Sequence, residues 1–267
     1  MIDLHQIKEE LIGQSVERPN RATEGTLSGH AAGEPFEKLV YHSLKAKFPD
    51  RIFKQYEYLN DLYLKHPTHI SYADRNALFD SPTVLFLLSR GEKATREWNP
   101  QHIFEEKQND TADIIFHDQG YFDLIDVKTR NLGKKAQAPN IISAVKLAKT
   151  CANMLDNREF SSFDIHYIEI DWQQNGSDRL VCNNVHIADL FKCNPQTLYI
   201  NWAAAMQIQF HVCDLSQDWQ KDREQWAKAY LHMFVHSAQR RCRIMYEEYV
   251  QPFLKYIEET DAFELTF

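Results

Sequence analysis

"TADIIFHDQGYFDLIDVKTRN", residues 111–131, holds two apolar, β-branched runs separated by Asp118-Gln119-Gly120. The pattern predicts a β-hairpin, with strands over 112–117 and 121–129. Side chains alternate across a strand, so Phe122, Leu124, Asp126 and Lys128 share one face, and Tyr121, Asp123, Ile125 and Val127 the other. Carboxylates in such runs are costly to bury unless they are paired or bound to a metal. Asp113, Asp126 and the lysine two residues further on therefore need a reason, structural or chemical.

Working outward, the texture alternates between helix and strand. Residues 25–33, "GTLSGHAAG", are expected to form a small-residue loop. A helix follows over 34–48, where Phe36, Leu39, Val40 and Leu44 stand at helical spacing and Pro35 lies near the first turn. The apolar run "PTVLFLLSRG", 82–91, is ambiguous between helix and buried strand, and is assigned to helix. After the hairpin, a loop carrying "NLGKKAQA" leads to Pro139 at the entry of a helix over 140–156, and a strand follows over 163–172. Residues 223–259 are helical in pattern, interrupted near Pro252. Trp219, Trp226, Tyr230 and Phe234 are spaced for packing rather than for stacking on bases. The fold class that results is α/β, a mixed β-sheet flanked by helices. With no repeat, no low-complexity segment and only eight glycines, residues 1–267 read as one domain.

Composition narrows the function. A hydrophobic content of 43% suffices for a sizeable core. No run approaches the roughly 18 apolar residues of a membrane span, and the first residues lack a basic flank with an apolar core, so a cytoplasmic location and no membrane partner are expected. The five cysteines include no CxxC pair, which argues against a disulfide framework or a zinc site. The twelve histidines form no metal-ligand pattern with them. A formal net charge of -8 argues against indiscriminate binding of nucleic acid. It leaves room for one locally basic cleft, and basic residues do cluster in "KTRNLGKK", 128–135, and "RRCR", 240–243.

An acidic residue on one strand followed by Asp-x-Lys on the next is the layout of a metal-dependent phosphodiesterase. Two carboxylates offer hard oxygen ligands to Mg²⁺, which takes only one or two of them and keeps several waters. A lysine beside them can orient the nucleophile or stabilise a pentacovalent phosphorus. The spacing alone is weak, since Glu105-Glu106-Lys107 repeats it. What separates 126–128 is its apolar strand and the upstream strand bearing Asp113. A structural Asp–Lys pair on a half-exposed strand remains an open reading at this point.

Longer stretches add to the motif. "GTLSGHAAGEPFEKLVY", "FKQYEYLNDL", "LFLLSRG", "FEEKQNDTADI", "DVKTRN", "AQAPNIISA" and "LYINWAAAMQIQFHV" closely resemble the HincII type II restriction endonucleases, within the PD-(D/E)XK nucleases. The resemblance runs from about residue 10 to about residue 255. It implies a homodimer acting on duplex DNA with Mg²⁺; Mn²⁺ would substitute, and Ca²⁺ would support binding with little cleavage. Carried over by position, Asp113 and Asp126 are the acidic metal ligands and Lys128 the catalytic lysine, with Ala112 where the superfamily usually has proline. Thr129 would border the site. Ala136, Gln137, Ala138 and Asn140 would lie against the bases, and Tyr199 and Asn201 would form a second DNA-contacting segment. Gln108 looks like a groove-side residue, while Lys93 would meet a phosphate or remain solvated. The implied target is GTYRAC, cut at its centre to blunt ends, in a defence system with a partner DNA methyltransferase. The rival readings are a structure-specific repair or junction nuclease of the same fold, and a catalytically inactive DNA-binding protein.

Overall fold

The computed structural model describes residues 2–19, 29–58, 77–88, 111–135 and 137–257. In chain order its principal elements are α1 (His5–Leu11), β1 (Ser15–Glu17), α2 (Gly29–Lys47), β2 (Ile52–Lys54), α3 (Pro82–Leu88), β3 (Ile114–Asp118), β4 (Tyr121–Asn131), β5 (Asn140–Ser143), α4 (Ala144–Asn157), β6 (Phe163–Asn175), β7 (Arg179–Asp189), β8 (Ile200–Asn201), β9 (Gln207–Gln209) and α5 (Arg223–Tyr249).

The hairpin is present. β3 and β4 pair antiparallel from Ile114↔Ile125 to Asp118↔Tyr121. The two turn residues, Gln119 and Gly120, have φ of 50° and 83°, the left-handed pair whose twist matches that of the flanking strands. β4 then pairs parallel with β6, so its other edge is covered too. The full order is β1-β7-β6-β4-β3-β2, a mixed sheet, and β5-β9-β8 form a second, smaller sheet. The alternation along β4 divides the core. Phe122 and Leu124 join a cluster with residues of α3, α4 and α5, while Ile125 and Val127 join one with residues of α1 and α2. Helices on both faces of the sheet are the expected architecture.

Two expectations are corrected. The loop expected at 25–33 is helical from Gly29, so Pro35 lies inside α2 rather than in its first turn. The helix runs upstream of a proline that costs one backbone hydrogen bond. The helix expected over 140–156 begins at Ala144, capped by Ser143, and residues 140–143 are strand β5 instead. The β-branched pair Ile141-Ile142 is buried there, with Ile142 opposite Ile208 of β9. The other expected elements are found as far as the described residues reach. Residues 82–88 are a helix buried from Thr83 to Leu88, Trp226 and Tyr230 stack in the core, and the last long helix stops at Tyr249, before Pro252.

Asp123, fully buried near the start of β4, meets His166 Nδ1 of β6 at 2.7 Å. Burial opposes the imidazolium, but the hydrogen bond and charge of Asp123 outweigh it, and the His166 pKa is raised. A group raised in this way contributes fully below the ordinary histidine range and loses its contribution as pH rises through the raised value. His166→Ala, which strands a buried carboxylate, is expected to cost about 3 kcal/mol of stability. In denaturant titrations at several pH values the gap to wild type should be widest in mildly acidic solution and narrow towards alkaline pH.

Candidate active site

Asp113 sits immediately before β3, and the hairpin register fastens it. Its backbone N–H donates to Ile125 O at 3.0 Å, and its Oδ2 accepts from Val127 N–H at 2.7 Å. These contacts bracket Asp126, so the first carboxylate is set against the second by the pairing itself. Upstream, the side chain of buried Gln55 accepts from Ala112 N–H at 3.1 Å, holding the approach to Asp113. Asp126 is 5% exposed. Lys128, on the same face of β4, places Nζ 2.9 Å from Asp126 Oδ1 and 2.7 Å from Oδ2. The three residues singled out in the sequence are thus brought together.

The adjacent ammonium does not offset the burial of Asp126. Burial, and then the charge of Asp113, push the Asp126 pKa well above the ordinary carboxylate range despite the opposing pull of Lys128. Burial opposes the charge on Lys128, but Asp126 and Asp113 outweigh it and raise its pKa. A buried carboxylate whose ionised form is disfavoured, with a second carboxylate beside it, offers hard oxygen atoms that fit a divalent cation, whose charge would favour the ionised form of Asp126. Among the described residues, no group of three or more His, Cys, Asp or Glu side chains is placed to hold a metal ion.

A third carboxylate reaches this charge cluster from α2. Burial and the neighbouring Asp113 raise Glu37 from the ordinary range to about 7, against the pull of Lys54. Behind the lysine, fully buried Glu169 stands opposite Lys128 in the parallel register. It accepts from Val212 N–H and lies 2.7 Å from His211 Nδ1. Farther along β4, Arg130 forms a two-bonded pair with Asp171 of β6, at 2.7 and 2.6 Å. Glu37, Gln55 and Glu169 were not singled out in the sequence. The one available signal was Glu37, a charge beside the buried Phe36 on an amphipathic helix.

The expected DNA-facing residues divide. Thr129 follows Lys128 on β4 and is half-buried. Gln137 is exposed and Ala138 half-buried in the segment between β4 and β5. Asn140 opens β5 and is exposed, not at a helix terminus. Tyr199 is 63% exposed, so it is not a core residue despite its apolar surroundings. Asn201 ends β8, half-buried, with its Oδ1 accepting from the N–H groups of Ala203 and Ala204 at 3.1 Å each. Asn140 and Asn201, distant in sequence, lie on the same small sheet. Lys93, Gln108 and Ala136 lie outside the described residues.

Comparison with known proteins bears on the same assignment. The family model for restriction endonuclease HincII matches residues 7–257. The type II restriction enzyme HindII of Haemophilus influenzae (strain ATCC 51907 / DSM 11121 / KW20 / Rd) is 60% identical over 247 residues, covering 92% of this chain and 94% of that protein. The type II restriction enzyme HincII of Haemophilus influenzae matches with the same identity and the same coverage. Among solved structures, the NlaIV restriction endonuclease aligns over 88% of this chain and 85% of its own, at 7% identity and a TM-score of 0.35.

Proposed function

This chain belongs to the restriction endonuclease HincII family and is a type II restriction enzyme, a DNA-cleaving hydrolase; on that premise we propose that it hydrolyses duplex DNA at the palindrome GTYRAC, at the central step, with Asp113, Asp126 and Lys128 as its catalytic set. The observation that carries the reading is the convergence of two carboxylates and a lysine around the buried Asp126, with Lys128 Nζ 2.7 Å from it.

Asp113 and Asp126 would hold the cation beside the scissile phosphate. Bound there, Mg²⁺ supplies Lewis-acid polarisation of the phosphate and acidifies water. Lys128 is kept cationic by its carboxylate partners. It presents its ammonium to the phosphate and stabilises the negative charge that develops on the pentacovalent phosphorus. Lys134 and Lys135, exposed beyond the end of β4, grip flanking phosphates without reading sequence. Thr129 borders the catalytic face. Asn140 and Asn201 read base edges, and Tyr199 and Ala138 line the same approach, with Ala136 assigned to it on the resemblance of its segment alone. Gln108 and Lys93 are assigned to the groove and to a phosphate on the resemblance of their segments alone.

A two-fold palindrome calls for a two-fold protein, so the active form is a homodimer, each subunit supplying one metal site and half of the reading surface. The exposed apolar residues Val235, Met245, Tyr249 and Phe253 on and after α5 supply surface that a second copy would cover. The enzyme acts in the cytoplasm against foreign DNA, while a partner methyltransferase protects host sites. Incubation with phage DNA and Mg²⁺, followed by sequencing of the ends, tests the reading. Blunt ends sharing GTY on one side and RAC on the other are expected, and cleavage at junctions or without a shared motif would overturn it.

Gln137 gives a separate expectation. The pyrimidine–purine step at the centre is easily deformed, and a side chain entering from the minor groove can sense that deformability instead of base identity. Gln137→Phe should change which central dinucleotides are cut while the outer pairs stay nearly as strictly required. A cleavage profile over all central dinucleotides in a fixed GT–AC frame checks this; identical relative preferences in the two proteins would refute it.

A further inference from the structure

We propose that Gln209 is a specificity-determining residue. Its carboxamide fixes the orientation of the amide groups of Asn201 and Asn140, so that this edge of the small sheet offers N–H donors to base-edge acceptors. The proposal rests on the reading that β5 and β8 face DNA.

The argument starts where donor and acceptor are unambiguous. Asn201 Oδ1 lies 3.1 Å from two backbone N–H groups, those of Ala203 and Ala204, and a flipped amide would set Nδ2 donors against two donors. Asn201 Nδ2 is therefore turned towards Gln209, donating to its Oε1 at 2.9 Å. That bond in turn fixes Gln209. Its Nε2 must point the other way, and it donates to Asn140 Oδ1 at 2.7 Å. Asn140 is left with Nδ2 outward, and among the described residues that nitrogen has no hydrogen-bond partner. The sheet order makes the relay possible. β9 lies between β5 and β8, with Gln209 directly opposite Asn140 and diagonal to Asn201.

The exposed end of this chain of amides is therefore a donor. Its natural partner is a base edge with adjacent acceptors, such as the N7 and O6 of guanine; adenine sets an amino donor beside its single N7 acceptor, and cytosine offers only an amino donor. Gln209 acts on this choice without having to touch the base. A glutamate of the same length would accept from both asparagines, forcing Asn140 to turn Nδ2 inward and Oδ1 outward. The edge presented to DNA would then be an acceptor.

The experiment uses the full chain and its mapped cleavage site. Wild type, Gln209→Ala and Gln209→Glu are compared on a panel of duplexes that each replace one base pair of that site. Cleavage rates are measured alongside affinities in Ca²⁺. At one symmetric pair, Gln209→Glu should lower the preference for guanine over adenine at least about tenfold, and Gln209→Ala should relax the same pair without reversing it. A merely structural role would lower all substrates together and leave the ratios unchanged. That result, with a selective wild type, would overturn this assignment alone. A wild type that cuts without sequence preference would overturn the underlying reading, and this assignment with it.

Discussion

Replacing Lys128 with alanine, or Asp126 with alanine, is expected to slow single-turnover cleavage of the mapped site by about a thousandfold or more, while affinity for that site changes far less. The two substitutions act through different steps. On the proposed assignment, the cation loses one of its two carboxylates without Asp126. Without Lys128 the developing charge on phosphorus loses its ammonium, and the buried Asp126 also loses the partner that lies 2.7 Å away. The second loss leaves burial and Asp113 unopposed in raising the Asp126 pKa, so Lys128→Ala should also require more metal for half-maximal rate. Lys128→Arg separates the effects: it restores the charge next to Asp126 but carries a broader, planar head. Measuring cleavage as a function of Mg²⁺ concentration for all three variants, with binding measured in Ca²⁺, decides the matter. A Lys128→Ala protein that cuts at the wild-type rate would remove Lys128 from the mechanism.

Cleavage should also stop completely when divalent metal is removed, and return with Mg²⁺ or Mn²⁺. The ligand chemistry argues for this outcome, because Asp113 and Asp126 are oxygen donors with no sulfur or imidazole in their set. Ca²⁺ is larger and accepts a looser shell, so it should satisfy the charge of the pair and allow DNA to bind while supporting little hydrolysis. Fluorescence anisotropy of labelled duplex in Ca²⁺, followed by addition of Mg²⁺, would separate the two functions in one cuvette. Undiminished cutting in excess chelator would refute the metal reading and leave Lys128 without a cation to work beside.

The hairpin that carries the proposed catalytic residues was legible because it is local. Its turn residues, its alternation and the common face of Asp126 and Lys128 all lie within residues 113–128. The pair's electrostatics were legible in part, since a carboxylate in an apolar strand already implies a partner. Residues 140–143 were read as helix because a strand this short carries no period of its own, and only Ile208, far along the chain, makes it one. Glu37, Glu169 and Gln209 were missed for the same reason. Each has its role because another strand or helix brings a partner to it: Asp113 beside Glu37, His211 beside Glu169, and two asparagines on either side of Gln209. Composition does not register such convergence.

The parallel pairing of β4 with β6 also sets an order of events during synthesis. The β3–β4 hairpin closes through its own two-residue turn and can form as soon as residue 131 is available. The neighbour that stands opposite Asp126, Tyr167, and the one opposite Lys128, Glu169, come from residues made later. Glu169 itself is completed only by His211 and Val212, and the small sheet only by β8 and β9. Local contacts form quickly and distant ones slowly. On the proposed assignment, a growing chain therefore carries both acidic residues well before the small sheet that would hold DNA is complete, and harmful activity would be among the last properties the polypeptide acquires.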